Sequence, residues 1–139
     1  MSGSSLRPHQ LFDITRTEID QVVRRFYAEV RAHDVLGPVF NSAVTDWPEH
    51  EDKISGFWAG AILREPGYFG NPMQVHIANP NIRSEHFPVW LDLFQKVLEQ
   101  ELTGDVASAF SLLAQRIGKG LSMGIENFRQ PDGAAPNLT

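Results

Sequence analysis

Apolar residues recur at helical spacing in four separate stretches of this chain, and no stretch shows the in–out alternation of a half-buried strand. The first opens on Thr15 and Glu18, the spacing of a capping box, and continues with Ile19, Val22, Val23, Phe26, Tyr27 and Val30 on one stripe, so Tyr27 is expected to point inward. The second is announced by Pro48 with acidic Glu49, Glu51 and Asp52, which suit the positive end of a helix dipole. Its stripe runs His50, Ile54, Phe57, Trp58, Ala61 and Ile62. The third follows Ser84, a candidate N-cap, with Phe87, Trp90, Leu91, Phe94, Val97 and Leu98. The fourth begins near Gly104 and Asp105 and carries Val106, Ala109, Phe110, Leu113, Ile117, Leu121 and Ile125.

Between the first two stretches, Leu36 to Asn41 reads as a turn or loop with two apolar anchors, Val39 and Phe40. Glu65 to Pro72 holds too many breakers for a helix and reads as a long loop leading into a short segment, Met73 to Ile77, that contains His76. Four helices with one breaker-rich connection make an all-α domain, either a bundle or a globin-like crossing of helix pairs. We expect a flexible leader over 1–13, the domain over 14–129 and a flexible tail over 130–139, where Pro, Gly, Ala and Asn accumulate.

With 139 residues and 42% hydrophobic content the chain can build one core. It has no cysteine, which removes disulfides, thiolate metal sites, iron–sulfur clusters and cysteine nucleophiles. The formal charge of −5 gives no support to nucleic-acid binding or to a polybasic membrane patch. No signal-like leader and no run of roughly 18 apolar residues is present, so a soluble cytoplasmic protein with small-molecule or protein partners is expected.

Any metal must then be held by histidine, carboxylate or a cofactor. Of five histidines, His9 lies in the polar leader and His33 at a helix end, where solvation or a dipole contact accounts for each. His50 heads an aromatic stripe, His76 sits in the short loop-bounded segment, and His86 stands one helical turn before Trp90. Each has a plain packing role as its alternative, and spacing alone leaves all three open as ligands. No glutamate stands three residues before any of them, which removes a di-iron bundle, and the two-histidine motif of zinc proteases is absent. A lone imidazole in aromatic surroundings suits a cofactor that brings its own equatorial ligands, and haem is such a cofactor.

Five segments in this order carry a resemblance: Phe26-Tyr27-Ala28-Glu29-Val30, Leu36-Gly37-Pro38-Val39-Phe40, Trp47-Pro48-Glu49-His50 leading to Phe57-Trp58-Ala59-Gly60, Gly70-Asn71-Pro72-Met73-Gln74-Val75-His76, and His86-Phe87-Pro88-Val89-Trp90-Leu91. Together they resemble the truncated haemoglobins of group III, the P group. The resemblance spans about Ile19 to Phe94, and the last helix agrees only in pattern. It implies a two-over-two globin fold around haem b, with His76 as the proximal iron ligand and Tyr27, His50 and Trp90 on the distal side. It makes Phe40 the aromatic that packs on the haem. Ile54, Phe57, Trp58, Met73, Phe87 and Phe94 are then expected to line or back the haem, although core packing explains each nearly as well.

Phenol, indole and imidazole can each donate to a diatomic ligand that gains negative charge on binding, so tight oxygen binding with slow release is expected. Oxygen, nitric oxide and carbon monoxide are the expected ligands. Redox turnover such as nitric oxide dioxygenation or a peroxidase-like reaction would draw on an external reductase, and a monomer or weak dimer is expected. The competing class is a helical sensor or interaction domain that keeps the globin core without haem. A hydrolase has no nucleophile motif to frame it.

Overall fold

The computed structural model describes residues 10–68 and 70–129, without the side chains of Gln74 and Ile77. The elements are α1 (Arg16–Arg31), α2 (Leu36–Asn41), α3 (Trp47–Leu63), α4 (Pro72–Ala78), α5 (His86–Glu101) and α6 (Gly104–Phe128), with no strand among the described residues.

The capping box is present as its spacing predicts: the Glu18 N–H donates to Thr15 Oγ1 at 3.1 Å and the Thr15 N–H to Glu18 Oε1 at 2.9 Å. All six residues of the first stripe are buried, Tyr27 among them at 3% exposure. Replacing Thr15 by Ala removes one side of this box and is expected to cost about 1 kcal/mol in thermal or urea unfolding.

The segment read as a turn at Leu36–Asn41 is instead the short helix α2. Its Pro38 lies in the first turn, where a proline lacks nothing a helix needs. Its start is capped by His33, whose Nδ1 accepts from the N–H groups of Val35 and Leu36 at 3.1 and 3.2 Å. Gly37 lets α2 approach the end of α1, since a Cβ there would stand 3.0 Å from the Arg31 carbonyl oxygen.

Asp46 caps α3 by accepting from the Glu49 N–H at 3.1 Å, which places the helix start one residue before Pro48. Ser84 does not cap α5: the N-cap is Glu85 without a side-chain bond, and Ser84 contributes its backbone carbonyl to the Phe87 N–H at 3.1 Å. Of residues 10–13, expected with the flexible leader, Phe12 packs on the core while Leu11 and Asp13 are exposed. The Leu11 N–H donates to the Ile62 carbonyl at 2.9 Å, and the Phe12 ring sits 5.8 Å from that of Phe110. The expected tail, 130–139, lies outside the described residues.

α1 packs on α3 and α5 on α6, and α1 against α5 joins the two pairs. α2 leans on α1 and α5, and α4 packs on α6. At the junction the rings interlock: Phe26 is edge-on to Tyr27, Trp90 and Phe94, and Phe94 is sandwiched in stacked contact between Trp58 and Trp90. Among the described residues no helix is long and apolar enough to cross a membrane.

Candidate functional site

Two imidazoles on different helices mark the site. His50 is in the first turns of α3, and its stripe position turns it toward α1. There its ring meets Tyr27 edge-on at 4.9 Å, with Trp47 at 5.7 Å and Phe40 at 6.3 Å. Tyr27 in turn contacts Phe40 at 5.7 Å and Trp47 at 5.8 Å, so four rings from α1, α2 and α3 close one cluster. The Trp90 indole N–H from α5 donates to the Tyr27 hydroxyl, since an indole can only donate.

Electrostatics fix the protonation of this cluster. Burial, helped by the nearby Glu51 carboxylate, pushes the Tyr27 phenol well above its usual range, so it keeps its proton. Burial and then the Lys53 charge hold His50 below 6.5, which favours neutral imidazole. His50 Nε2 is buried with no hydrogen-bond partner. A polar atom left this way is costly unless a ligand completes it.

The depressed His50 pKa also gives a pH dependence of stability. Unfolding raises the proton affinity of this imidazole, so its contribution is intact above about 6.5 and is lost as the pH falls through the folded-state value. Urea unfolding is expected to show lower stability at pH 5.5 than at 7.5, with a smaller difference in His50→Gln. An equal difference in the variant would assign the effect to other groups.

Sequence reasoning missed Trp47. It precedes His50 by three residues, the spacing that puts two side chains on one helical face, and this signal was legible. Trp47 also carries Arg31 above its ring, 4.7 Å from the centroid. That arginine bridges Glu51 at 3.0 Å and donates from Nε to the Tyr27 carbonyl at 3.1 Å, which ties the end of α1 to the start of α3 over the cluster.

His76 stands apart, in α4. Its Nδ1 lies 2.6 Å from the Pro72 carbonyl oxygen, one helical turn back, and a carbonyl can only accept, so Nδ1 carries the proton. Nε2 is thereby left as a lone-pair donor. Burial lowers the pKa of His76 and the Pro72 bond opposes it in part. Phe87 lies against the ring at 5.8 Å, and Met73 packs on Gly124 of α6.

The remaining expected residues surround this frame. Ile54 packs against the core, Trp58 and Phe94 stack at 5.7 Å behind the cluster, and Phe57 touches Trp58 and Tyr68 at 5.1 and 5.4 Å. His86 has a local role, with Nδ1 accepting from the Arg83 N–H at 3.0 Å, and His9 lies outside the described residues. Among the described residues α3 does not pack on α4, and no group of three or more His, Asp or Glu side chains could hold a metal. Haem brings its own equatorial ligands and asks only an axial imidazole of the chain. One oriented imidazole nitrogen on one element and an unpartnered imidazole nitrogen beside a protonated phenol on another fit a planar haem.

No family model matches the chain. A group 3 truncated hemoglobin from Campylobacter jejuni is 35% identical over 108 residues, covering 75% of this chain and 85% of that protein. The crystal structure of a group III truncated hemoglobin from Campylobacter jejuni matches this fold with a TM-score of 0.80 at 31% identity, covering 88% of this chain and 99% of that one. At that identity over most of both chains, with helix pairs in the same arrangement, the chain belongs to the group III truncated haemoglobins.

Proposed function

We propose that the chain holds one haem b through His76 Nε2 and binds a diatomic gas, oxygen, nitric oxide or carbon monoxide, on the face formed by Tyr27, His50 and Trp90. The observation that carries this reading is the buried, unpartnered His50 Nε2, set against the protonated phenol of Tyr27. When bound, haem supplies the ferrous iron that a diatomic ligand coordinates. The chain does the rest. Pro72 holds the His76 proton on Nδ1, which keeps Nε2 available and the ring oriented. The Trp90 indole donates to the phenol oxygen of Tyr27, so the phenol's own proton is free to turn toward the ligand. His50, as the neutral tautomer protonated on Nε2, adds a second donor. The stacked rings of Trp90, Phe94 and Trp58 exclude water behind these donors, where hydrogen bonds to developing charge count for more.

Such a pocket favours retention of oxygen over its delivery and suits redox use of the bound gas with an external electron donor. The test is to titrate the purified protein with hemin and record spectra in the ferric, reduced and carbon-monoxide-treated states. A one-to-one endpoint with a band that shifts on reduction and again with carbon monoxide is the expected result. A chain that takes up no hemin is a globin core without its cofactor, and the proposal fails.

A further inference from the structure

The helix that carries His76 has seven residues, about 10 Å of length, too short to hold its own shape or position. Among the described residues its backbone packs on α6 and on no other helix, and α5 reaches it only through the Phe87 ring against His76. Two attachments make the contact with α6. At the start of α4, Met73 lies on Gly124, where any Cβ would collide with the thioether. At its end stands Arg129, the residue that follows α6.

Arg129 closes two helices at once. Its backbone N–H donates to the Ile125 carbonyl at 3.0 Å and ends α6. Its guanidinium spreads over the end of α4: Nη2 donates to the carbonyls of Asn79 at 2.8 Å and His76 at 3.2 Å, and Nη1 donates to that of Ile82. These carbonyls follow one another at intervals of three residues along a run of tight turns, in which the Asn79 N–H reaches the His76 oxygen and the Ile82 N–H the Asn79 oxygen. Carbonyls at a helix C-terminus lack intrahelical donors and gather negative partial charge. A rigid, planar, permanently charged fork answers both needs, whereas the three donors of a lysine leave a single nitrogen and are not held in a fixed spread.

We infer that Arg129 is a positioning residue for the proximal imidazole: by gripping the carbonyl of His76 and the two that follow, it sets the height and tilt at which Nε2 meets the iron. This rests on His76 being the iron ligand. These guanidinium bonds all go to backbone carbonyls, so the effect passes through the backbone of α4.

The experiment compares haem-loaded wild type with Arg129→Gln and Arg129→Lys by three readouts: the iron–histidine stretching band in the resonance Raman spectrum of the ferrous protein, the rate of haem transfer to an acceptor apoglobin, and hydrogen exchange of the α4 amides. In Arg129→Gln the band is expected to shift and broaden, and haem loss to quicken on the order of tenfold to a hundredfold, the size set by losing charged hydrogen bonds. α4 exchange is expected to quicken with it, and Arg129→Lys should fall between the two. Faster α4 exchange with an unmoved iron–histidine band would overturn the inference and leave Arg129 a structural cap only. Wild-type values in all three readouts would overturn it as well. A wild type that binds haem but shows no iron–histidine band from His76, judged against His76→Gly, removes the ligand assignment and this inference together. A normal band in wild type with an indifferent Arg129→Lys and Arg129→Gln removes only this one.

Discussion

His76→Gly is expected to fold and to lose haem at least about a hundredfold faster than wild type, because metal-site variants that remove only an outer partner of the ligand already cost ten- to hundredfold. His76 is only partly buried, on a short helix that packs on α6 and meets α5 through Phe87, and it is not among the buried residues of the core, so its loss should leave that core in place. What it contributes is chemistry. Burial keeps the ring neutral, the 2.6 Å contact to the Pro72 carbonyl fixes the proton on Nδ1, and Nε2 is left to bind. Imidazole added to the His76→Gly protein should occupy the vacated volume and restore the ferrous spectrum. Haem transfer to an apoglobin measures the loss. Retention equal to wild type would move the ligand assignment to His86 or His50.

Tyr27→Phe, and more so Tyr27→Phe combined with Trp90→Phe, is expected to leave haem bound and to speed oxygen release. Each net hydrogen bond is worth about 0.5–1.5 kcal/mol, so one variant should accelerate release by up to about tenfold. Losing two or three donors together should reach tens- to thousands-fold. Tyr27→Phe also deprives the Trp90 N–H of its acceptor, so this indole gains freedom to turn to the ligand and softens the single substitution. The two effects should therefore be non-additive. Stopped-flow release of oxygen into a carbon monoxide solution measures them. Release rates within twofold of wild type in both variants would show that neither ring holds the ligand.

The helices were legible because their stripes answer to a packed interior. Tyr27, Trp58 and Phe94 were predicted inward and are 3%, 3% and 1% exposed. α2 was not legible, because Gly37 and Pro38 read as breakers, whereas the proline sits in a first turn and the glycine answers a contact with Arg31 that only the folded chain makes. At the site, sequence spacing leaves His50, His76 and His86 all open as candidates and does not choose among tautomers. The Pro72 carbonyl supplies that choice for His76, and the fold adds that His50 Nε2 is buried without a partner. Arg129 escaped because its partners lie about fifty residues earlier, and a lone arginine before a Pro- and Gly-rich end carries no local signal.

The most direct test of a polar face opposite His76 is the infrared C–O stretching band of the carbon-monoxide-bound ferrous protein, since donors aimed at the ligand oxygen lower its frequency. The account predicts a low-frequency band in wild type that moves up in Tyr27→Phe and further in Tyr27→Phe/Trp90→Phe. A single band at the frequency of an apolar pocket, unmoved by either substitution, would contradict it.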